Sequence, residues 1–296
     1  MTPAPVSIAD RSLLHEHVIE WFDREARELP WREDPSPWRV MVSEFMLQQT
    51  PVTRVLPVFD TWLVRWPTPS SLAADSTGEA VRAWGRLGYP RRALRLHAAA
   101  TAIVETHGGQ VPSARADLLA LPGVGEYTAG AIASFAFGDG QVVLDTNVRR
   151  VFARVLDGAQ FPADAVTAAE REVAREMLPR QQAHRWAAAT MELGAVVCTA
   201  RSPRCGDCPV ADLCRWRAAG FPEHTGPARR GQAWTGTDRQ CRGRLMAVLR
   251  GSADPVPRHE LEAAWDDQPQ RDRCLNSLIV DQLVEPLDDG FFGLPT

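Results

Sequence analysis

Four cysteines fall within seventeen residues in the run C-x6-C-x2-C-x5-C: Cys198, Cys205, Cys208 and Cys214. Thiolates this close, with Gly-Asp between the middle pair and proline after the third, suit an iron–sulfur cluster held on a short loop. Zinc is the alternative, since four cysteines at short spacing serve it equally well. Zinc ribbons, however, pair two C-x2-C knuckles across a longer gap, and this run has one knuckle with a single cysteine on each side. Cys241 and Cys274 lie far downstream and read as two buried free thiols, with a disulfide as the alternative.

Two carboxylates stand out for their contexts. Glu44 lies in RVMVSEFMLQQT, where Val40, Glu44 and Leu47 share one helical face, so an acid interrupts a stripe that belongs in the core. Burial there raises a carboxyl pKa and keeps it protonated, ready to act as an acid. Asp145 follows the apolar Val142-Val-Leu144 and precedes the helical pattern Val148, Phe152, Val155, which places it at an N-cap, where the helix dipole favours the ionised form. One neutral acid and one carboxylate are what cleavage through an oxocarbenium-like transition state requires. The plainer alternative is a cap and a salt-bridged helix residue.

A third feature is Leu121-Pro-Gly-Val-Gly125, a Gly-rich turn opening onto the helical run Glu126–Phe137. Gly123, Val124 and Gly125 let the backbone approach an anion, and the free N–H groups of the helix start favour phosphate. Any tight helix–helix turn can contain the same residues, so a purely structural turn is the alternative.

The elements that must position these groups are helical. Apolar residues recur at helical spacing over 11–28, 40–47, 79–86, 92–105, 115–120, 126–137, 148–156, 164–178 and 184–197. Only a few segments, such as Gln141–Leu144, invite a strand. Residues 222–236, rich in Gly, Pro, Thr and Arg, read as a linker. Beyond it, helices at 239–250, 258–265 and 270–283 and a hairpin from Val284–Pro286 and Gly290–Leu294 describe a winged-helix module, 237–296. The fold class is all-α with a small α+β C-terminal module.

All 33 basic residues are arginine, so lysine nucleophiles and Schiff bases are excluded. The net charge of -4 divides unevenly: residues 201–250 carry ten Arg against four acids, whereas 251–296 carry three Arg against ten. The first stretch is the candidate phosphate-facing surface. The second argues against DNA binding by the module and for packing or a protein partner. With 45% hydrophobic residues, no basic n-region at the start and no run of eighteen apolar residues, the chain reads as cytosolic, reduced and without a membrane span. Its composition fits a high-GC bacterial genome, and a monomer is expected.

LPGVGEYTAGAI, then VVLDTNV, then the four cysteines resemble the helix-hairpin-helix, aspartate and [4Fe-4S] arrangement of the endonuclease III superfamily of DNA glycosylases. PWR at 30–32, SEFMLQQT at 43–50 and Arg86-Leu-Gly-Tyr89 are similar to its adenine-specific, MutY-type branch, which removes adenine mispaired with 8-oxoguanine. The resemblance covers about residues 15–220. It implies a glycosylase domain over 1–221, with a six-helix subdomain near 33–140 and a cluster subdomain of 1–32 plus 141–221, acting on double-stranded DNA near the nucleoid. It also implies roles. Glu44 protonates the adenine ring and later activates water, Asp145 stabilises or transiently bonds the C1′ cation, and Tyr127 and Asn147 support them. Trp31, Arg32 and Glu192 line the adenine pocket. Gln48, Gln49, Thr50, Leu87, Gly88 and Tyr89 meet the helix near the opposing base, and Leu121–Gly125 hold phosphate.

Tyr127 takes the place where bifunctional members of that superfamily carry a lysine, so the resemblance implies base release without a lyase step. It departs from the branch in two respects: no counterpart of the Nudix-like 8-oxoguanine-reading domain is found, and Pro90 follows Tyr89 where a second aromatic is common. Selectivity then rests on the catalytic body, or is relaxed towards A:G and A:C. The alternatives are a mismatch thymine or uracil glycosylase, against which Glu44 argues, and a noncatalytic iron–sulfur DNA-binding protein, against which the paired carboxylates argue.

Overall fold

The computed structural model describes residues 7–226 and 234–296. Helix α1 (Ile8–Glu25) starts where the Ser7 hydroxyl accepts the Asp10 N–H at 3.1 Å. Proline opens α2 (Pro30–Glu33), which buries Trp31, and α3 (Pro37–Leu47) follows. The sequence periodicity did not mark α4 (Val52–Arg65), which starts just after Pro51 and contains Pro57. Its stripe of Val55, Phe59, Trp62 and Leu63 is buried, and that burial carries the helix through Pro57 at the loss of one backbone donor. Two short helices, α5 (Pro69–Ala73) and α6 (Thr77–Trp84), are capped by Thr68 and Ser76. Then come α7 (Arg91–His107), α8 (Arg115–Ala120) and α9 (Glu126–Phe137).

Asp145 caps α10 (Thr146–Val155). A Thr167–Glu170 capping box starts α11 (Ala168–Glu176) later than the pattern over 164–178 suggests. Next are α12 (Ala183–Val196) and, past the cysteines, α13 (Arg215–Ala218). The expected strand at Gln141–Leu144 is absent. That segment has no ladder partner, and its backbone is held instead by the Ser134 hydroxyl, which accepts the Gln141 N–H at 3.2 Å.

The C-terminal segment holds α14 (Asp238–Gly251), β1 (Val256–Pro257), α15 (Arg258–Ala263), α16 (Gln268–Val280), β2 (Glu285–Pro286) and β3 (Phe291–Gly293). β3 lies between the other two strands and is antiparallel to both, with Val256 opposite Phe292 and Glu285 opposite Gly293. This is the winged-helix pattern, with β1 as a strand the sequence did not signal. The expected 222–236 linker falls partly outside the described residues. No described helix is long and apolar enough to cross a membrane.

The described residues form two compact units. One takes those of Met1–Val40, Ser113–Arg115 and Gly125–Ala228; the other takes those of Met41–Pro112, Ala116–Val124 and Arg229–Thr296. In the first, Leu14, Val18 and Trp21 of α1 pack with Val151 and Val155 of α10 and with Trp186, Leu193 and Trp216. In the second, Trp62 meets Trp66 and Trp84 edge-on, with ring centroids 4.5 and 5.5 Å apart.

Candidate active site and cluster loop

In the first unit, Asp145 is held from within its own turn. Its Oδ1 accepts the backbone N–H groups of Asn147 (2.9 Å) and Val148 (2.7 Å), and its Oδ2 accepts the Asn147 amide at 2.7 Å. Burial nevertheless pushes its pKa above the ordinary carboxylate value. The hydrogen bonds from Val148 and Asn147 and the charge of Arg150 oppose that shift without cancelling it. The donors at the helix start favour the ionised form, and desolvation opposes them with the larger effect on the pKa. Tyr127, in the first turn of α9, packs beside Ala131, Val143 and Ala187.

A second ring of bonds runs from Asp145 towards the cysteines. The Asn147 side-chain Oδ1 accepts from Arg150 at 2.8 Å, and Arg150 also donates to the backbone carbonyls of Gly194 (2.6 Å) and Cys198 (2.7 Å). One turn on, Arg154 donates to Cys198 Sγ at 3.3 Å and to the Thr199 carbonyl at 2.8 Å, with its guanidinium 4.6 Å from the Trp216 ring centroid. Arg150 and Arg154 were not singled out in the sequence, although cations in the apolar register of VRRVFARV were a readable anomaly.

The four cysteines line one cavity with Val151, Val155, Leu193, Val197 and Trp216. As bare thiols, Cys205, Cys208 and Cys214 resist ionisation: burial, with repulsion from its three neighbours, pushes Cys208 up to about 12, against a hydrogen bond from Val210. Four desolvated sulfurs that must become thiolates together need a polycation among them, which Arg154 alone does not supply. No group of three or more His, Cys, Asp or Glu among the described residues is gathered tightly enough for a single metal ion. Arg201 and Arg204, on the same loop, are exposed.

The third group in this unit centres on Glu192, whose side chain is 0% exposed. Arg27 grips it with two bonds, Nε to Oε1 at 2.6 Å and Nη2 to Oε2 at 2.7 Å, and Arg32 adds Nη2 to Oε2 at 2.8 Å. Burial alone would raise its pKa, but the two guanidiniums bring it down to about 2. Glu192 and Arg32 thus come together in an ion-paired group, and Trp31, the residue before Arg32, is buried. Arg27, which no sequence pattern marked, supplies most of the grip.

In the second unit, Glu44 is 5% exposed on α3 and Phe45 and Met46 after it are 0% exposed. The end of that helix is pinned from afar. Buried Arg92 donates to the carbonyls of Phe45 (2.9 Å), Met46 (2.8 Å), Gln48 (2.6 Å) and Gly88 (3.0 Å), and to the Thr50 hydroxyl (2.8 Å). With no carboxylate against it, its own pKa is lowered by burial to about 10. Arg92 so ties Gln48–Thr50 to Leu87–Tyr89, and Thr50 Oγ1 adds a 3.3 Å bond to the Leu87 carbonyl.

The residues expected at the opposing base separate into two sets. Leu87 and Thr50 are 3% and 6% exposed and hold the loops from inside. Gln49, Gly88 and Tyr89 are exposed and adopt positive φ, at 55°, 85° and 47°. In the glycine-rich turn, Leu121 and Val124 are buried, and Gly123 (φ 78°) leaves no room for a Cβ, which would lie 2.8 Å from Arg95 Cβ. Gly125 caps α9 with no side-chain acceptor on its first N–H groups.

Residues 42–176 match the model of the HhH-GPD superfamily base excision DNA repair proteins, and residues 198–214 match the iron-sulfur binding domain of endonuclease III. An adenine DNA glycosylase of Mycobacterium tuberculosis (strain CDC 1551 / Oshkosh) is 52% identical over 296 residues, 99% of this chain and 97% of that protein. The chain belongs to the adenine DNA glycosylase family. The family's human member is 40% identical over 220 residues, 71% of this chain but 40% of its own length. The mycobacterial match thus runs through the C-terminal module. An endonuclease III trapped on DNA shares the fold, with a TM-score of 0.63 at 23% identity over 74% of this chain and all of its own, as does a thermostable thymine-DNA glycosylase with a TM-score of 0.64.

As in that iron–sulfur family, Cys198, Cys205, Cys208 and Cys214 hold a [4Fe-4S] cluster. When bound, the cluster supplies the positive core that lets four buried thiolates coexist and ties the ends of the loop into one structure.

Proposed function

We propose that this chain is a monofunctional adenine glycosylase that flips adenine out of duplex DNA where it faces 8-oxoguanine, G or C, and hydrolyses its glycosidic bond. The observation that carries the reading is the contrast between the two carboxylates. Glu44 is buried on an apolar helix, and Asp145 is the acceptor of three hydrogen bonds at a helix start. Glu44 gives its proton to the base, and the C1′–N bond breaks with its electron pair leaving on adenine. Asp145 offsets the positive charge left on the sugar. Water adds to C1′ as its proton passes to Glu44, which restores the acid; the products are free adenine and an abasic site. No lysine exists to form a Schiff base, so the strand stays intact. The flipped base is required because the bond is inaccessible within the stack.

The remaining assignments follow that reading. Trp31, the residue before Arg32, lines the adenine pocket. Gln49 and Tyr89 contact the duplex near the opposing base, and Gly88 lets the backbone come close. The open N–H groups at Gly125 and the exposed Arg201 and Arg204 take phosphates.

Single-turnover base release from duplexes carrying A opposite 8-oxoguanine, G or C, and T opposite G, tests the proposal, with Glu44→Gln as control. Release of adenine lost in the control is expected. Release of thymine alone would replace it with a thymine glycosylase.

A further inference from the structure

We infer that the C-terminal winged-helix module is a brace that clamps both ends of the Gly85–Pro90 turn and thereby tunes discrimination of the opposing base, with Arg250 as the positioning residue. The inference rests on the proposed function, in which Tyr89 and Gly88 meet the duplex near that base.

The turn is costly to hold. Gly85, Gly88 and Tyr89 have φ of 54°, 85° and 47°, and Tyr89, which is not glycine, is 51% exposed at its apex. Such a conformation persists only where the surroundings over-determine it. From within, Arg92 and the Trp84 indole N–H bond the Gly88 carbonyl, at 3.0 and 3.1 Å. The ends of the turn are held by the module.

At the leading end, Arg250 of α14 donates through Nη1 to the Gly85 carbonyl. Its Nε is buried without a hydrogen-bond partner, and burial lowers its pKa to about 10. A cation kept there at that cost does something other than simple packing. The contact is reciprocated. Arg82 of α6, just before the turn, donates through Nη1 to the carbonyls of Arg250 at 2.6 Å and Ser252 at 2.5 Å, closing the end of α14. At the trailing end, Arg91, the first residue of α7, pairs with Asp281 at 3.2 Å, and Arg242 of α14 holds that same carboxylate at 2.5 Å.

Farther along α6 the approach is close enough to need glycine. A Cβ on Gly78 would lie 2.4 Å from the Pro295 carbonyl oxygen, and Thr77 donates to the Thr296 carbonyl at 2.9 Å. The module also carries ion pairs of its own. Arg242 and Arg273 neutralise Asp281 and Asp238, and Arg258 pairs with Glu262 and Asp272.

The test compares Arg250→Leu and Arg250→Lys with wild type and with Glu260→Gln, an exposed control on α15, all as full chains with the cluster loaded. Hydrogen exchange in the peptide spanning residues 84–91 is measured without DNA, and single-turnover adenine release is measured opposite 8-oxoguanine and opposite G. Arg250→Leu should lower protection of that peptide about tenfold, the size of one lost hydrogen bond from a charged donor. It should also change the ratio of the two release rates by a similar factor, with partial rescue by Arg250→Lys and no effect of Glu260→Gln.

Unchanged exchange and an unchanged ratio overturn the brace. Equal loss on both duplexes overturns it too, because that marks general destabilisation. Should wild type release no adenine at all, the proposed function fails, and exchange alone then decides whether the module holds the turn.

Discussion

Asp145 and Glu44 are both carboxylates on or beside a helix, and they are held in opposite ways. Asp145 sits among donors from within three residues of itself, backed by Arg150 and through it by the carbonyl of Cys198. Glu44 lies on a helix among residues that are 0% exposed, and the helix end is tied down by Arg92, more than forty positions away. The difference matches what the proposed chemistry asks of each: the donors around Asp145 favour its charge, and burial of a carboxyl, as at Glu44, is the general condition that favours the protonated form. Even so, burial lifts the pKa of Asp145, so the donors limit a cost of desolvation without abolishing it.

The sharpest way to break that contrast is to remove the charge. Asp145→Asn keeps a good capping residue but should slow single-turnover adenine release by about a thousandfold, as loss of a preorganised electrostatic partner does, with duplex binding retained. Loss of binding in parallel would make Asp145 a structural cap. Glu44→Gln should cost about a hundredfold through the missing proton donor. A rate within threefold of wild type would leave the buried carboxyl no part in the chemistry.

How far these sites could be read from the sequence follows from how local their causes are. Asp145 was legible because a cap is set by its next three residues, and the cysteines because their ligand spacing is. Glu44 was legible as a break in a periodic stripe. Helix α4 carries Pro57 within it, and only the burial of its Val55, Phe59, Trp62 and Leu63 stripe shows why it forms; Gln141–Leu144 lacks the strand partner that short apolar runs cannot reveal. Arg27, Arg92 and Arg250 act on backbone carbonyls or carboxylates far along the chain, and arginine in a chain without lysine carries no marking of its own. Leu87 shows the converse: a motif placed it at the duplex, and the fold places it in the core.

Arg92 and Arg150 test whether the two carboxylates depend equally on such distant supports. Arg92→Leu strands five acceptors at once and should lower stability by about 3 kcal/mol, measured by urea unfolding, with release from every duplex falling together. Arg150→Met should leave the fold intact and slow release about tenfold, the effect of loosening Asn147 against Asp145. It should also shift the acid limb of the rate profile. Arg150 is among the groups that oppose the raised pKa of Asp145, so its removal raises that pKa further, and activity should disappear at a higher pH on acidification. A limb that stays in place would mean that the limb belongs to some other group.

The last comparison concerns stability alone and sets Asp145 against Glu192. Glu192 titrates near 2 in the fold against an ordinary 4.5, so its contribution is fully present above pH 4.5 and is lost as pH falls towards 2. For Asp145 the sign reverses: its raised pKa means that ionisation opposes folding, a cost present above that pKa and relieved as pH falls towards 3.8. Glu192→Gln should therefore be roughly 2–3 kcal/mol less stable than wild type at pH 7, and the gap should narrow between pH 4.5 and the lowest pH at which both still unfold cooperatively. A gap independent of pH would show that Arg27 and Arg32 hold Glu192 by hydrogen-bond geometry that a neutral amide reproduces as poorly at any pH, and the charge itself would then contribute little to that group.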